Sequence, residues 1–154
     1  MPAMKALVIS LVGVILAAAG CGGPQKVSAA ELVQRGDAIC RELQDKFNQI
    51  QAQPPANASG AVDQTKDLVG AAEDAQSSLR DMEAPQPLQG PYERYLEARD
   101  RAIEQLKAGQ DAAENQDGTA YGAAQQAMAQ NAPRRKQLAE SLGFRVCSSN
   151  RGAV

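Results

Sequence analysis

Prolines and glycines cut this chain into four stretches of helical periodicity, and no stretch alternates apolar and polar residues as a half-buried strand would. The first opens at Ser28-Ala29-Ala30-Glu31, a capping box in which the hydroxyl and the carboxylate each satisfy a free backbone donor. Apolar positions recur at Leu32, Val33, Ile39, Cys40, Leu43, Phe47 and Ile50, with Gly36 inside the stripe, until Pro54-Pro55 ends the segment. The second starts near Asn57 or Ser59, carries Val62, Thr65, Leu68, Val69, Ala72, Leu79 and Met82 on one side, and stops at Pro85 and Pro87. Gly90-Pro91 restarts the chain, proline being favoured at a first helical position, and Tyr92, Tyr95, Leu96, Ile103 and Leu106 form a third stripe that fades near Asn115. Asp117 caps a fourth segment with Tyr121, Ala124, Met128, Leu138 and Leu142, closed by Gly143. Pro133 falls inside it and predicts a kink or two shorter helices.

Four segments of about 25 residues joined by short loops predict an all-α fold, an antiparallel up-down four-helix bundle over residues 28–147. The chain has no Trp and only 2 Phe, so the core must be built from Leu, Ile, Val, Met and much Ala. Small side chains let helices approach closely but bury little area each, and a thin core is expected. Residues 148–154 are expected to be disordered.

Ahead of the bundle, Lys5 precedes an apolar run, Ala6 to Ala19, which ends in Leu16-Ala17-Ala18-Ala19-Gly20-Cys21. The small residues at 18–20 leave the backbone slim enough for a peptidase cleft, and a thiol follows at once. This stretch resembles the bacterial lipoprotein signal peptide with its lipobox, although Ala18 stands where that pattern usually has Leu. The resemblance implies cleavage after residue 20, acylation of Cys21 and anchoring to the outer face of the cell membrane. Two alternatives are a transmembrane helix and a plain secretory signal. A span needs about 20 apolar residues, whereas this run is about 14 and is stopped by Gly20, Gly22, Gly23 and Pro24. Residues 21–27 then form a tether of about 24 Å at full stretch, so the domain should ride close to the lipid surface.

With Cys21 assigned to lipid, Cys40 and Cys147 remain as an even pair in an oxidising compartment, where a disulfide is expected; two separate free thiols are the alternative. Axial counting allows the bridge only if the chain after Leu142 folds back along the first helix. In that arrangement the loops at 53–58 and 115–118 lie far from the membrane, and the turn at 84–90 lies near it. A partner docking from the far side would meet Pro54, Pro55, Asn57 and Asp117 first.

Gly36-Asp37-Ala38-Ile39-Cys40 and Leu142-Gly143-Phe144-Arg145-Val146-Cys147, together with the lipobox, resemble the small helical lipoproteins found in large numbers in actinobacteria. That resemblance supports the location and the fold and supplies no active site.

Chemistry is restricted by what the chain lacks. It contains no His, which removes the usual general base and the commonest metal ligand. Ser148 and Ser149 have no base beside them, zinc spacing is missing, and Asn115-Gln116-Asp117-Gly118 is too short for a calcium loop. No metal and no cofactor beyond the lipid on Cys21 are expected. A net charge of −2 and a pI of about 5.2 give no nucleic-acid footprint. One polar constellation stands out. At heptad spacing Arg99 falls in the third seam and Asn131 and Arg135 in the fourth. Axial counting puts Arg99 and Gly36 at about 12 Å and Arg135 and Gln76 at about 10 Å from the membrane-proximal end. These four residues form one layer, with Asp37 or Glu73 as counter-charge. Either the arginines lay their stems on the core and keep their heads in water, or they line a small anion or ligand pocket beside the glycine.

The expected function is that of a membrane-anchored, monomeric, non-enzymatic lipoprotein that acts as an interaction or envelope-associated module. The alternative is a carrier for a small apolar or anionic ligand held between the helices. A cavity among Ala-lined helices would favour the carrier, and a filled core with an exposed apolar patch the module.

Overall fold

A computed structural model describes residues 23–149; residues 1–22, with Cys21 and the stretch expected to be a signal peptide, and residues 150–154 lie outside the described residues. The fold is a four-helix bundle of α1 (Ala29–Gln51), α2 (Ala58–Arg80), α3 (Gln86–Glu114) and α4 (Gly118–Ser141). Each boundary has a local cause. Ser28 Oγ accepts from the Glu31 amide at 3.2 Å and Glu31 Oε2 accepts from the Ser28 amide at 2.8 Å, the reciprocal capping box. Asn57 and Asp117 cap α2 and α4 through the amides of Gly60 and Ala120, each at 2.9 Å. Gly143, at φ +85°, adopts the left-handed conformation that ends α4, and the Phe144 amide reaches back to the Ala139 carbonyl at 3.0 Å.

Three expectations about punctuation need correction. α3 begins at Gln86, not at Gly90-Pro91, because Pro87 occupies the first turn, where its missing N–H has no helical acceptor to lose. α2 ends at Arg80, before either proline, with Asp81 as its C-cap. α4 is one continuous helix through Pro133, and not the two shorter helices that were the alternative to a kink. Ala129, whose carbonyl lacks its usual donor at that proline, is exposed, so water can take the donor's place.

Two short strands were not expected. β1 (Gln25–Lys26) pairs in parallel with β2 (Met82–Glu83), Gln25 opposite Met82 and Lys26 opposite Glu83. The Gln25 amide donates to the Asp81 carbonyl at 2.7 Å and the Val27 amide to Glu83 at 3.1 Å. Val27 is buried, so the last residues of the expected tether belong to the domain. At the other terminus Ser148 and Ser149, expected in a loose tail, donate to the carbonyls of Phe144 and Val146 at 2.7 and 2.8 Å.

Contacts between α2 and α3 pair falling numbers with rising ones: Leu79 with Tyr92, Gln76 with Arg99, Glu73 with Lys107. The core is in two parts. Nearer the strands lie Val27, Leu32, Cys40, Leu79, Tyr92, Tyr95, Leu142 and Phe144; farther along lie Leu43, Phe47, Val69, Ala72, Ile103 and Leu106. Buried alanines at 71, 72, 75, 98, 102 and 139 make up much of the helix contact, the thin core foreseen from composition.

Candidate functional site

Between the two apolar clusters lies a polar layer. On α2 Gln76 follows Ala75 of one cluster and precedes Leu79 of the other; on α3 Arg99 sits between Tyr95 and Ile103. Gln76, Arg99 and Arg135 are 5%, 4% and 5% exposed, so neither guanidinium reaches out to water as a snorkelling head would. Gln76 organises the layer. Its Oε1 accepts from Arg99 Nε at 3.0 Å, and its Nε2 donates to Leu96 O at 3.0 Å and to Asp100 Oδ1 at 2.8 Å. Arg80 pairs with the other oxygen of Asp100 at the surface. On the inner side Arg99 Nη1 lies 3.5 Å from the Tyr95 hydroxyl, which lies 3.7 Å from Cys40 Sγ. Burial lowers the pKa of Arg135, the positive charge of Arg99 lowers it further, and Tyr95 opposes both.

The counter-charges proposed for the layer are engaged elsewhere. Glu73 accepts from Lys107 at 2.8 Å on the outside of the bundle. Asp37 turns to the end of the chain: its Oδ1 accepts from the amides of Arg145 and Val146 at 3.0 and 2.8 Å, with Cys147 at 3.4 Å. Three successive N–H groups around one carboxylate are an anion nest filled from within the molecule. The negative charge nearest Arg99 through hydrogen bonds is Asp100, which sequence reasoning missed although it is the next residue in the chain. Gly36 also stands apart from the layer. A Cβ there would lie 2.5 Å from Phe144 Cε1, so the glycine is a seat for a ring.

Residues 36–40 and 142–147 are therefore two halves of one lock. Gly143 turns the chain, Phe144 enters the core against Tyr95 with ring centroids 5.4 Å apart, Asp37 holds the backbone that follows, and Cys147 bonds to Cys40. The fold-back that the disulfide required is present, with Cα atoms 5.2 Å apart. Nearby, the Tyr92 hydroxyl donates to Leu79 O at 2.6 Å, and burial raises its pKa.

A different feature lies at the α3–α4 turn. Ala61 and Thr65 of α2, Ala112 and Ala113 of α3, and Tyr121 of α4 surround an open recess of about 550 Å³. Tyr121, placed by its periodicity in an apolar stripe, is 39% exposed, because the alanines opposite are too short to cover it. Gln116, which lines the recess, has φ 56°, a left-handed conformation that non-glycine residues adopt infrequently.

Among the described residues no three His, Cys, Asp or Glu side chains converge as metal ligands, and no helix is long and apolar enough to cross a membrane. No protein-family model matches the chain, and no curated protein or solved structure matches it either.

Proposed function

We propose that this protein is a membrane-anchored, non-enzymatic interaction module of the cell envelope, held by lipid on Cys21 and engaging a partner protein at the end of the bundle remote from that anchor. One observation carries this: the recess beneath Tyr121 lies at the α3–α4 turn, whereas the chain leaves toward Cys21 from β1, beside the α2–α3 turn. An up-and-down course, which the α2–α3 pairings support, puts those two turns at opposite ends of helices about 35–45 Å long. Among the described residues that line the recess, the charged side chain is Asp117, whose carboxylate accepts from the Ala120 amide and caps α4. A cleft of this size, lined mainly by alanines, Thr65 and Tyr121 with Asp117 at its edge, suits one or two apolar side chains of a partner surrounded by polar contacts, the usual anatomy of a small interface.

A carrier has less support. The polar layer, its natural anion site, is knitted together by Gln76, Tyr95 and Asp100, and the core on either side is packed. A photo-crosslinker at position 121, used in the native envelope, should give a discrete protein adduct that Ala61→Arg abolishes without lowering the melting temperature. Adducts of equal yield from position 86, or adducts indifferent to Ala61→Arg, would argue against a partner at the recess.

A further inference from the structure

The pairing of β1 with β2 changes what the N-terminal segment can do. From Cys21 a free tether to residue 27 would extend about 24 Å and let the bundle swing. Instead Gln25 and Val27 are hydrogen-bonded to the backbone of 81–83, and Val27 is buried. Side chains reinforce the pairing: Arg35 Nη1 donates to Gln25 Oε1 at 3.1 Å, tying β1 to α1 as well as to the α2–α3 turn. Only four peptide steps separate Cys21 from Gln25, a reach of about 14 Å at full extension.

We infer that β1 is a clamp that takes residues 25–27 out of the tether and holds the strand end of the bundle against the lipid surface. The inference rests on Cys21 bearing the lipid. The partner of this face is the bilayer headgroup layer, because the four-residue link from Cys21 to Gln25 is too short to let any other large body in between. The charge on β1 itself supplies no attraction. Lys26, with its side chain 85% exposed, is balanced by Glu83 at 4.0 Å. The apposition therefore comes from tether length, and it aims the Tyr121 end away from the membrane.

The test uses the lipidated chain in vesicles of phosphatidylethanolamine and phosphatidylglycerol with a headgroup quencher, and a fluorescent amino acid at position 86 or 57. Position 86 should be quenched several-fold more than position 57, and the amides of Gln25 and Val27 should exchange at least about tenfold more slowly than that of Gly23. Insertion of three Gly-Ser pairs between Gly23 and Pro24 should keep the amide protection and abolish the quenching contrast. Free exchange at Gln25 and Val27, equal quenching at the two positions, or a contrast that survives the insertion would each overturn the clamp. Cys21→Ser separates this from the anchor itself. Lost vesicle binding with the two amides still protected supports both the lipid and the clamp. Retained binding refutes the lipid at Cys21, and with it the tether-length account of the apposition.

Discussion

Gly36 and Phe144 occupy one another's space: the ring of Phe144 lies where a side chain at position 36 would begin, 2.5 Å from the Cβ position to Cε1 and 2.7 Å to Cζ. Phe144 is 1% exposed and packed against Tyr92 and Tyr95, so it has no room to retreat. Gly36→Ala therefore sets two effects against each other. Alanine gains about 1 kcal/mol of helix propensity, and overpacking costs about 1–3 kcal/mol. A fully enclosed ring favours the second, and the variant should be less stable in urea unfolding. Equal or greater stability would show that the ring can shift.

Reduction of the Cys40–Cys147 bridge, which closes a separation of 107 residues, should lower the melting temperature by a large step. Chain entropy alone sets the loss at up to about 4–5 kcal/mol. The reduced protein then depends on Asp37 to retain residues 145–147. Asp37→Ala should consequently be more damaging to the reduced protein than to the oxidised one, read from exchange of the Arg145 and Val146 amides. Equal effects in the two states would mean that the carboxylate and the disulfide do not share a task.

In the polar layer, Gln76→Leu leaves Arg99 Nε without its acceptor and should cost about 1–3 kcal/mol. Adding Arg99→Met removes the stranded donor and should recover part of that loss, because apolar replacement of a whole buried polar pair is often close to neutral. A double variant as unstable as the sum of the two single ones would place the value of Arg99 elsewhere, in its contact with Tyr95 or its proximity to Arg135.

The helix caps were legible in the sequence, because Ser28, Asn57, Asp117 and Gly143 each act on neighbours within a few residues. The polar layer was legible for Gln76, Arg99 and Arg135, since counting along a helix gives depth directly. Gly36 was placed in that layer because depth says nothing about which neighbour faces a residue, and its neighbour, Phe144, comes from the far end of the chain. Asp37 was given the wrong partner for the same reason. β1 and β2 escaped notice because two residues carry no period, and their pairing is a contact between residues 25–27 and 81–83. Pro87 was read as a stop although it lies in a first turn, and the split that was one of two expectations at Pro133 does not occur, the carbonyl freed there being exposed to water.

Acid should loosen the start of α1. The capping hydrogen bonds from Ser28 hold the pKa of Glu31 below its ordinary value of 4.5. A depressed folded pKa means that this contribution is present above 4.5 and is lost as the pH falls through the lower folded value. Glu31→Gln should therefore differ most from the wild type near neutrality, and the two should converge in melting temperature as the pH drops below that point. A gap that is constant with pH would show that the carboxylate charge plays no part in the cap.

The central claim, that the bundle is held at the membrane by lipid on Cys21, is tested most directly by fractionating cells that express Cys21→Ser. The protein should leave the detergent-requiring membrane fraction and appear in the medium, or accumulate as precursor with residues 1–20 attached. A variant that is cleaved and still requires detergent for its release from the membrane would contradict the account.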